Sequence, residues 1–345
     1  MHKKRSFYQN FILFIIGTLI GIANKTPGVS GGMILLISNV YEEYIHSLER
    51  INKHSLTLLK NWKFKEFYNY INGNFLLWVG LGSFFAFFAI SALLNFFLDF
   101  YLIETLSLFF GLIAGSIYFI SRKIGNWNKT IYFFLFISTL IGLLITLIKP
   151  LPENTNIFFI FLCGIVSVLG VPLPGFSGSF LVFILGNYTL LMVDAANNLM
   201  FIGSSILNWD FTFINNIYRM NLFFYGCVFS IGSFIGLISL SKLISYLLKL
   251  HHDKVIASLI GFIFGSLGAV WPWRNVIYKL DEFGNKIKNS NNEFIINTYK
   301  RFIPKINSDL VFVLFIAIIG FLIVYVIAKV EDKYFLPKPP SIKNE

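Results

Sequence analysis

Six stretches of this chain stay apolar for about as long as a helix needs to cross a bilayer: Phe75–Leu98, Leu106–Ile120, Ile131–Ile148, Leu222–Leu248, Val255–Trp271 and Leu310–Ala328. A hydrocarbon layer ~30 Å thick takes about 20 helical residues. Backbone inside it must bond to itself, so runs of this kind are helices. With 56% hydrophobic and only 13% charged residues, against about 25% charged in a soluble domain, a water-soluble fold is excluded. The formal charge of +11 does not point to nucleic acid, because the basic residues lie in loops between apolar runs and not on one face of a soluble module. Cys163 and Cys227 both sit inside apolar segments, so neither a disulfide framework nor a cysteine metal site is implied.

Two further apolar regions, Phe11–Tyr41 and Ile157–Met192, are interrupted at their centres by Pro and Gly. Each reads as two short helices meeting at a turn, a re-entrant hairpin. The first also has the outline of a signal peptide, with Lys3, Lys4 and Arg5 ahead of an apolar stretch ending Gly21-Ile22-Ala23. The same pattern recurs in mid-chain, so the segment is expected to stay.

The recurrence is systematic. At an offset of 147, Gly17, Pro27, Gly28, Ser30, Gly31, Ile37 and Tyr41 match Gly164, Pro174, Gly175, Ser177, Gly178, Ile184 and Tyr188. At an offset of 150, Gly82-Ser83-Phe84 matches Gly232-Ser233-Phe234, and Gly111-x-x-x-Gly115-Ser116 matches Gly261-x-x-x-Gly265-Ser266. The expected fold is therefore all-α and polytopic, an inverted repeat of two halves (1–150 and 151–335), each one broken hairpin plus three spans. An odd number of crossings turns the second half upside down, the pattern of transporters with a midplane site at the repeat interface. The Gly-x-x-x-Gly-Ser motifs are read mainly as surfaces for close helix packing.

Pro27-Gly28-Val29-Ser30-Gly31-Gly32 and Pro174-Gly175-Phe176-Ser177-Gly178-Ser179 each place non-helical backbone at membrane depth, tolerated only beside protein or a watery cavity. A helix kink needs one Pro, not this run written twice. Glycine N–H groups, a serine hydroxyl and the start of a helix suit an anion, phosphate above all. Lys25 lies two residues before the first break and would add a full charge; its alternative is snorkelling to an interface.

Together with Gly21-Ile22-Ala23-Asn24, Tyr41-Glu42, Leu185-Gly186-Asn187-Tyr188, Gly265-Ser266-Leu267 and Trp271-Pro272-Trp273, the two motifs resemble a bacterial membrane family that includes the PopT-type polyprenyl-phosphate translocases. The similarity runs from about Phe11 to Lys329. It implies return of undecaprenyl phosphate from the outer to the inner leaflet of the cytoplasmic membrane for reuse in envelope synthesis. Residue chemistry and resemblance together suggest a headgroup site drawing on Asn24, Lys25, Pro27, Gly28, Ser30, Gly31, Gly32 and Glu42 from the first half. The second half would supply Pro174, Gly175, Ser177, Gly178 and Ser179, with Trp271, Trp273 and Arg274 on the outer side. Met33, Lys25 and Asn39 depart from the family pattern, which has Thr, an apolar residue and Gly there.

Two other readings share these features. An undecaprenyl-pyrophosphate phosphatase would want Arg beside the serine and an acid or His for proton transfer; Gly31 and Gly178 follow the serines instead. An anion channel or exchanger is separated only by a transport assay. The five His lie in tails and loops and form no metal set, so no cofactor is expected; the partners are a polyprenyl-phosphate lipid, the bilayer and a coupling ion, proton or sodium. By the positive-inside rule, 18 of the 28 Lys and Arg fall on the cytoplasmic side with both termini. One outer loop, Arg274–Lys305, dissents with seven basic residues.

Overall fold

The computed structural model describes residues 5–25, 30–86, 93, 96–97, 100–170, 175–278, 280–281, 284–288, 294, 296–304 and 308–334. Over these it is almost wholly helical, and several helices are inside-out by the standard of a soluble protein. In the helix Lys129–Leu147, Phe136 (64% exposed) and Leu144 (53%) face outward, while Ser138 (5%) and Thr146 (8%) face in. Water would penalise that arrangement; hydrocarbon favours it, and small or hydroxylated residues at the interface let backbones approach. Five helices among the described residues are long and apolar enough to cross a membrane.

Helix α1 (Phe7–Lys25) is followed beyond the first break by α2 (Gly31–Ile37). α1 starts in a reciprocal cap in which the Gln9 N–H donates to Ser6 Oγ and the Ser6 N–H to Gln9 Oε1. With 19 residues it is as long as a full span, not the short arm expected, because the capped turn adds Phe7–Asn10 to the apolar run. Three short helices, α3 (Tyr41–Glu49), α4 (Lys53–Lys60) and α5 (Phe64–Tyr70), precede α6 (Gly73–Phe85). The rest of the predicted span to Leu98 lies mostly outside the described residues. Next come α7 (Leu102–Ser121) and α8 (Lys129–Leu147).

The second half opens with α9 (Ile157–Ser167), a 3-10 turn (Val168–Gly170) and, after the second break, α10 (Gly178–Ile184). A π turn (Thr189–Asp194) then runs into α11 (Ala195–Leu207), a helix absent from the expected set. Asp194 just before it and Asn197 and Asn198 within it lower the hydropathy of the stretch, which lies between the predicted hairpin and the next span. α12 (Ile217–Ser266) covers two predicted spans, divided by non-helical backbone at His251. After a 3-10 turn (Leu267–Val270), the segment expected to form an outer loop is not all irregular: β1 (Arg274–Tyr278) and β2 (Ile296–Arg301) pair antiparallel. α13 (Ser308–Tyr334) ends the described chain.

Glycines set the helix contacts. Gly17 of α1 lies against the Val79 carbonyl of α6, and Gly82 of α6 against the Phe14 carbonyl of α1. Likewise Gly164 of α9 meets the Phe229 carbonyl of α12, and Gly232 the Phe161 carbonyl. A methyl group at any of the four would strike backbone. The Gly-x-x-x-Gly pairs pack between the two halves: Gly111 of α7 touches the Ala317 carbonyl of α13, while Gly261 and Gly265 of α12 touch the Leu135 and Thr139 carbonyls of α8.

Candidate functional site

Both breaks are closed by their serines in the same way. Ser30 has extended backbone and caps α2, its Oγ accepting from the Gly32 N–H at 3.2 Å. Ser177 likewise caps α10, accepting from the Phe180 N–H at 3.2 Å. Such a cap satisfies one of the orphan donors of a helix start. Both helices are only seven residues long, so local N–H groups, more than an accumulated dipole, set the polarity here.

The two breaks touch. The Ser30 hydroxyl donates to the Gly170 carbonyl, 140 residues away and immediately before the second break. Gly170 in turn is packed against the Gly178 amide and the Phe176 carbonyl, leaving no room for a side chain. Ser30 is 0% and Ser177 1% exposed. Asn24, exposed at the end of α1, bridges the first break by accepting from the Gly31 N–H at 2.9 Å. Ser179 lies 3.1 Å from Ser177, hydroxyl to hydroxyl. Gly175 has φ +111°, a left-handed value costly for any side chain, and a methyl there would meet Ser266 Oγ at 2.6 Å. In this conformation the Ser30 hydroxyl and the Gly31 and Gly32 N–H groups are thus engaged inside the protein. Lys25 ends α1; Pro27, Gly28 and Pro174 lie outside the described residues.

Glu42 is not part of this cluster. It stands in the first turn of α3, beyond the far end of α2 from Ser30, and contacts His252 Nε2 at 3.1 Å beside the His251 break. The hydrogen bond to His252 holds the Glu42 carboxyl below its usual range, and the same bond raises the His252 imidazole. Nearby, Lys123 Nζ donates to the Leu36 carbonyl at 2.6 Å, closing the last turn of α2 with a cation where helix ends favour one. Trp271, Trp273 and Arg274 follow the 3-10 turn that leaves Ser266. Trp271 Nε1 donates to the Phe302 carbonyl at 3.0 Å, and its ring packs on Trp273 and on Phe110 of α7. Arg274 is buried, not a solvated loop charge.

The departure at Asn39 has a geometric reason. Asn39 (φ +50°) and, 147 positions later, Gly186 (φ +80°) both take left-handed backbone directly after the short helices. Asn is the side chain that tolerates this region best. Sequence reasoning passed over three contacts: the Gly170 carbonyl, Lys123, and a clamp in which buried Asn187 accepts from the Asn154 N–H and donates to its carbonyl. Gly170 was readable only as part of a turn; Asn187 lay inside a quoted motif.

Fold and site together define a multi-pass helical membrane protein in which two broken apolar segments meet. The chain belongs to the VCA0040-like family, described as undecaprenyl phosphate translocase-like, whose model matches residues 20–287. It is 29% identical over 286 residues to a protein named polyprenyl-phosphate transporter from Vibrio cholerae serotype O1, covering 79% of this chain and 82% of that one. No solved structure gives a significant match.

Proposed function

We propose that this protein carries undecaprenyl phosphate, or a close polyprenyl phosphate, from the outer to the inner leaflet of the bacterial cytoplasmic membrane. The family and the named relative support the substrate class. The observation that supports the mechanism is the Ser30 hydroxyl resting on the Gly170 carbonyl, a polar contact between the two breaks. A phosphate monoester carries about −1.5 to −2 charges near neutral pH and needs a polar escort, while its prenyl tail has no reason to leave lipid. The headgroup is held by N–H groups and hydroxyls of Gly28, Ser30, Gly31 and Gly32 from one side and Gly175, Ser177, Gly178 and Ser179 from the other. Pro27 and Pro174 break the helices, and Asn24 and Lys25 add polar character at the first break. Trp271, Trp273 and Arg274 receive the lipid on the outer side. Glu42, paired with His252, acts at a distance as part of a proton-responsive contact; proton or sodium supplies the coupling.

The halves, 1–150 and 151–335, are on this reading an inverted repeat, with both termini in the cytoplasm. The like contacts of Gly17 with α6 and Gly164 with α12 support it, as do the paired serine caps. Entry of a headgroup requires the Ser30–Gly170 contact to open. No acid or His lies in either sequence break, which disfavours hydrolysis and an enzyme reading.

The test is reconstitution into liposomes carrying undecaprenyl phosphate in one leaflet. Protein-dependent movement of intact lipid is expected. Release of inorganic phosphate from a pyrophosphate lipid would instead mark a phosphatase, and conduction of small anions without lipid would mark a channel.

A further inference from the structure

The outer loop that breaks the positive-inside rule holds two arginines in a specific relation. In the β1–β2 register Arg274 lies directly opposite Arg301, so the two side chains share a face. Like charges directly opposite each other destabilise a hairpin. Here both are also drawn out of water: Arg274 is 9% exposed and Arg301 is half-buried. Burial pushes the Arg301 guanidinium below its usual range. Arg301 Nη2 donates to the Thr146 carbonyl at 3.3 Å, at the end of α8. Its guanidinium carbon lies 3.7 Å from where a methyl on Gly268 would sit.

The pair is fixed to the body of the protein beside the second break. Trp271 binds the Phe302 carbonyl and the Phe302 N–H binds the Trp273 carbonyl at 3.0 Å, riveting the base of the hairpin. Two residues before Gly268, Ser266 packs on Gly175 of the second motif. The arginines therefore lie near the Gly175–Ser179 segment, linked to it through Gly268 and Ser266. We infer that Arg274 and Arg301 form a docking site for a phosphate monoester headgroup arriving from the outer leaflet, ahead of the serine breaks. This rests on the lipid-phosphate reading above. A guanidinium fork matches phosphate oxygens two at a time and sheds its water more readily than an ammonium, and a dianion between the pair turns their repulsion into shared attraction. Lys286 and Lys288, by contrast, are exposed and stack on Tyr278 and Phe294 farther along the hairpin. Arg301 lies outside the matched family segment.

The experiment measures translocation by purified wild type, Arg274→Gln, Arg301→Gln, Arg301→Lys and the control Lys286→Gln as outer-leaflet undecaprenyl phosphate is varied. Each Gln variant is expected to raise the half-saturating lipid concentration ~10-fold or more, the size of one charge-assisted hydrogen bond, with little change in maximal rate. Arg301→Lys falls between, and Lys286→Gln stays near wild type. Should a Gln variant fail to fold, Arg301→Lys carries the test, read with binding of a short-chain prenyl phosphate to protein in detergent. Wild-type half-saturation in Arg301→Gln, or wild-type affinity in Arg301→Lys, overturns the inference. Inorganic phosphate competing as strongly as the prenyl phosphate would overturn the lipid assignment in favour of a free-anion site. A wild-type protein that moves no lipid refutes the proposed function, and the binding arm still decides the arginine site.

Discussion

Replacing Ser30 by Ala removes two contacts at once. The cap of α2 goes, at a cost of about 1 kcal/mol. The Gly170 carbonyl loses the donor that Ser30 supplies at a fully buried position, and a buried polar group deprived of its partner costs about 1–3 kcal/mol. Ser30→Ala should therefore lose ~2–4 kcal/mol of stability. Ser177→Ala forfeits the cap of α10 and a contact with Ser179, which is only partly buried and can find another partner; its loss is closer to ~1 kcal/mol. Ser30→Gly separates the two contributions, since Gly caps a helix to within a few tenths of a kcal/mol of Ser yet lacks the hydroxyl. The measurement is thermal or denaturant unfolding of all three variants in one detergent, alongside leaflet-to-leaflet movement of the lipid. Ser30→Gly should unfold well before Ser177→Ala. Equal unfolding of Ser30→Ala and wild type would refute the reasoning, because neither the cap nor the contact between breaks could then be contributing.

Asn39→Gly should be neutral or slightly stabilising, and Asn39→Val should lose ~1–2 kcal/mol in the same unfolding assay, since a branched residue resists left-handed backbone. For the Glu42–His252 pair, the raised His contributes stability fully present below its unfolded value of 6.5 and lost as pH rises through its folded value, while the lowered Glu contributes above 4.5 and loses it as pH falls through its folded value. Unfolding scans should thus show a gain between those limits that His252→Gln abolishes, amounting to under ~1 kcal/mol because the pair is partly exposed. Gly261→Leu should abolish folding in gel filtration, because its side chain would enter the α8 backbone at Leu135. A membrane-impermeant thiol probe applied to intact cells should label a cysteine placed at position 290 and not one at position 60; the reverse pattern would overturn the inverted arrangement.

Much of the fold was legible because the bilayer demands long apolar helices: α7, α8 and α13 fall within a few residues of the predicted spans. The Gly-x-x-x-Gly motifs announced close packing, and backbone contact is what they make. α11 was missed because Asp194, Asn197 and Asn198 lower the hydropathy of a segment that tertiary contacts nonetheless hold helical, with buried Asn198 donating to the Arg219 carbonyl at 2.8 Å. The β-hairpin was missed because its strands are short and polar, fixed by Trp271 and Phe302 more than by pattern. At the site, the serines and glycines stood out by repetition. Their partners did not, since a carbonyl such as that of Gly170 leaves no mark in a sequence. Glu42 was grouped with the breaks through the motif that carries the family resemblance, whereas α2 separates it from Ser30.

The exchange of closing helices between halves has a consequence for how such a chain can be divided. α7 is clasped by α13 from the far end of the sequence, and α12 by α8 from before the midpoint, each through glycines with carbonyls of the other half in the place of side chains. Severing the chain in the 149–156 connection would yield fragments that each present bare backbone grooves to lipid, which cannot fill their polar atoms. The two pieces would have to be made together and find one another in the same membrane. A single polypeptide keeps each glycine and the carbonyl it packs against in one molecule.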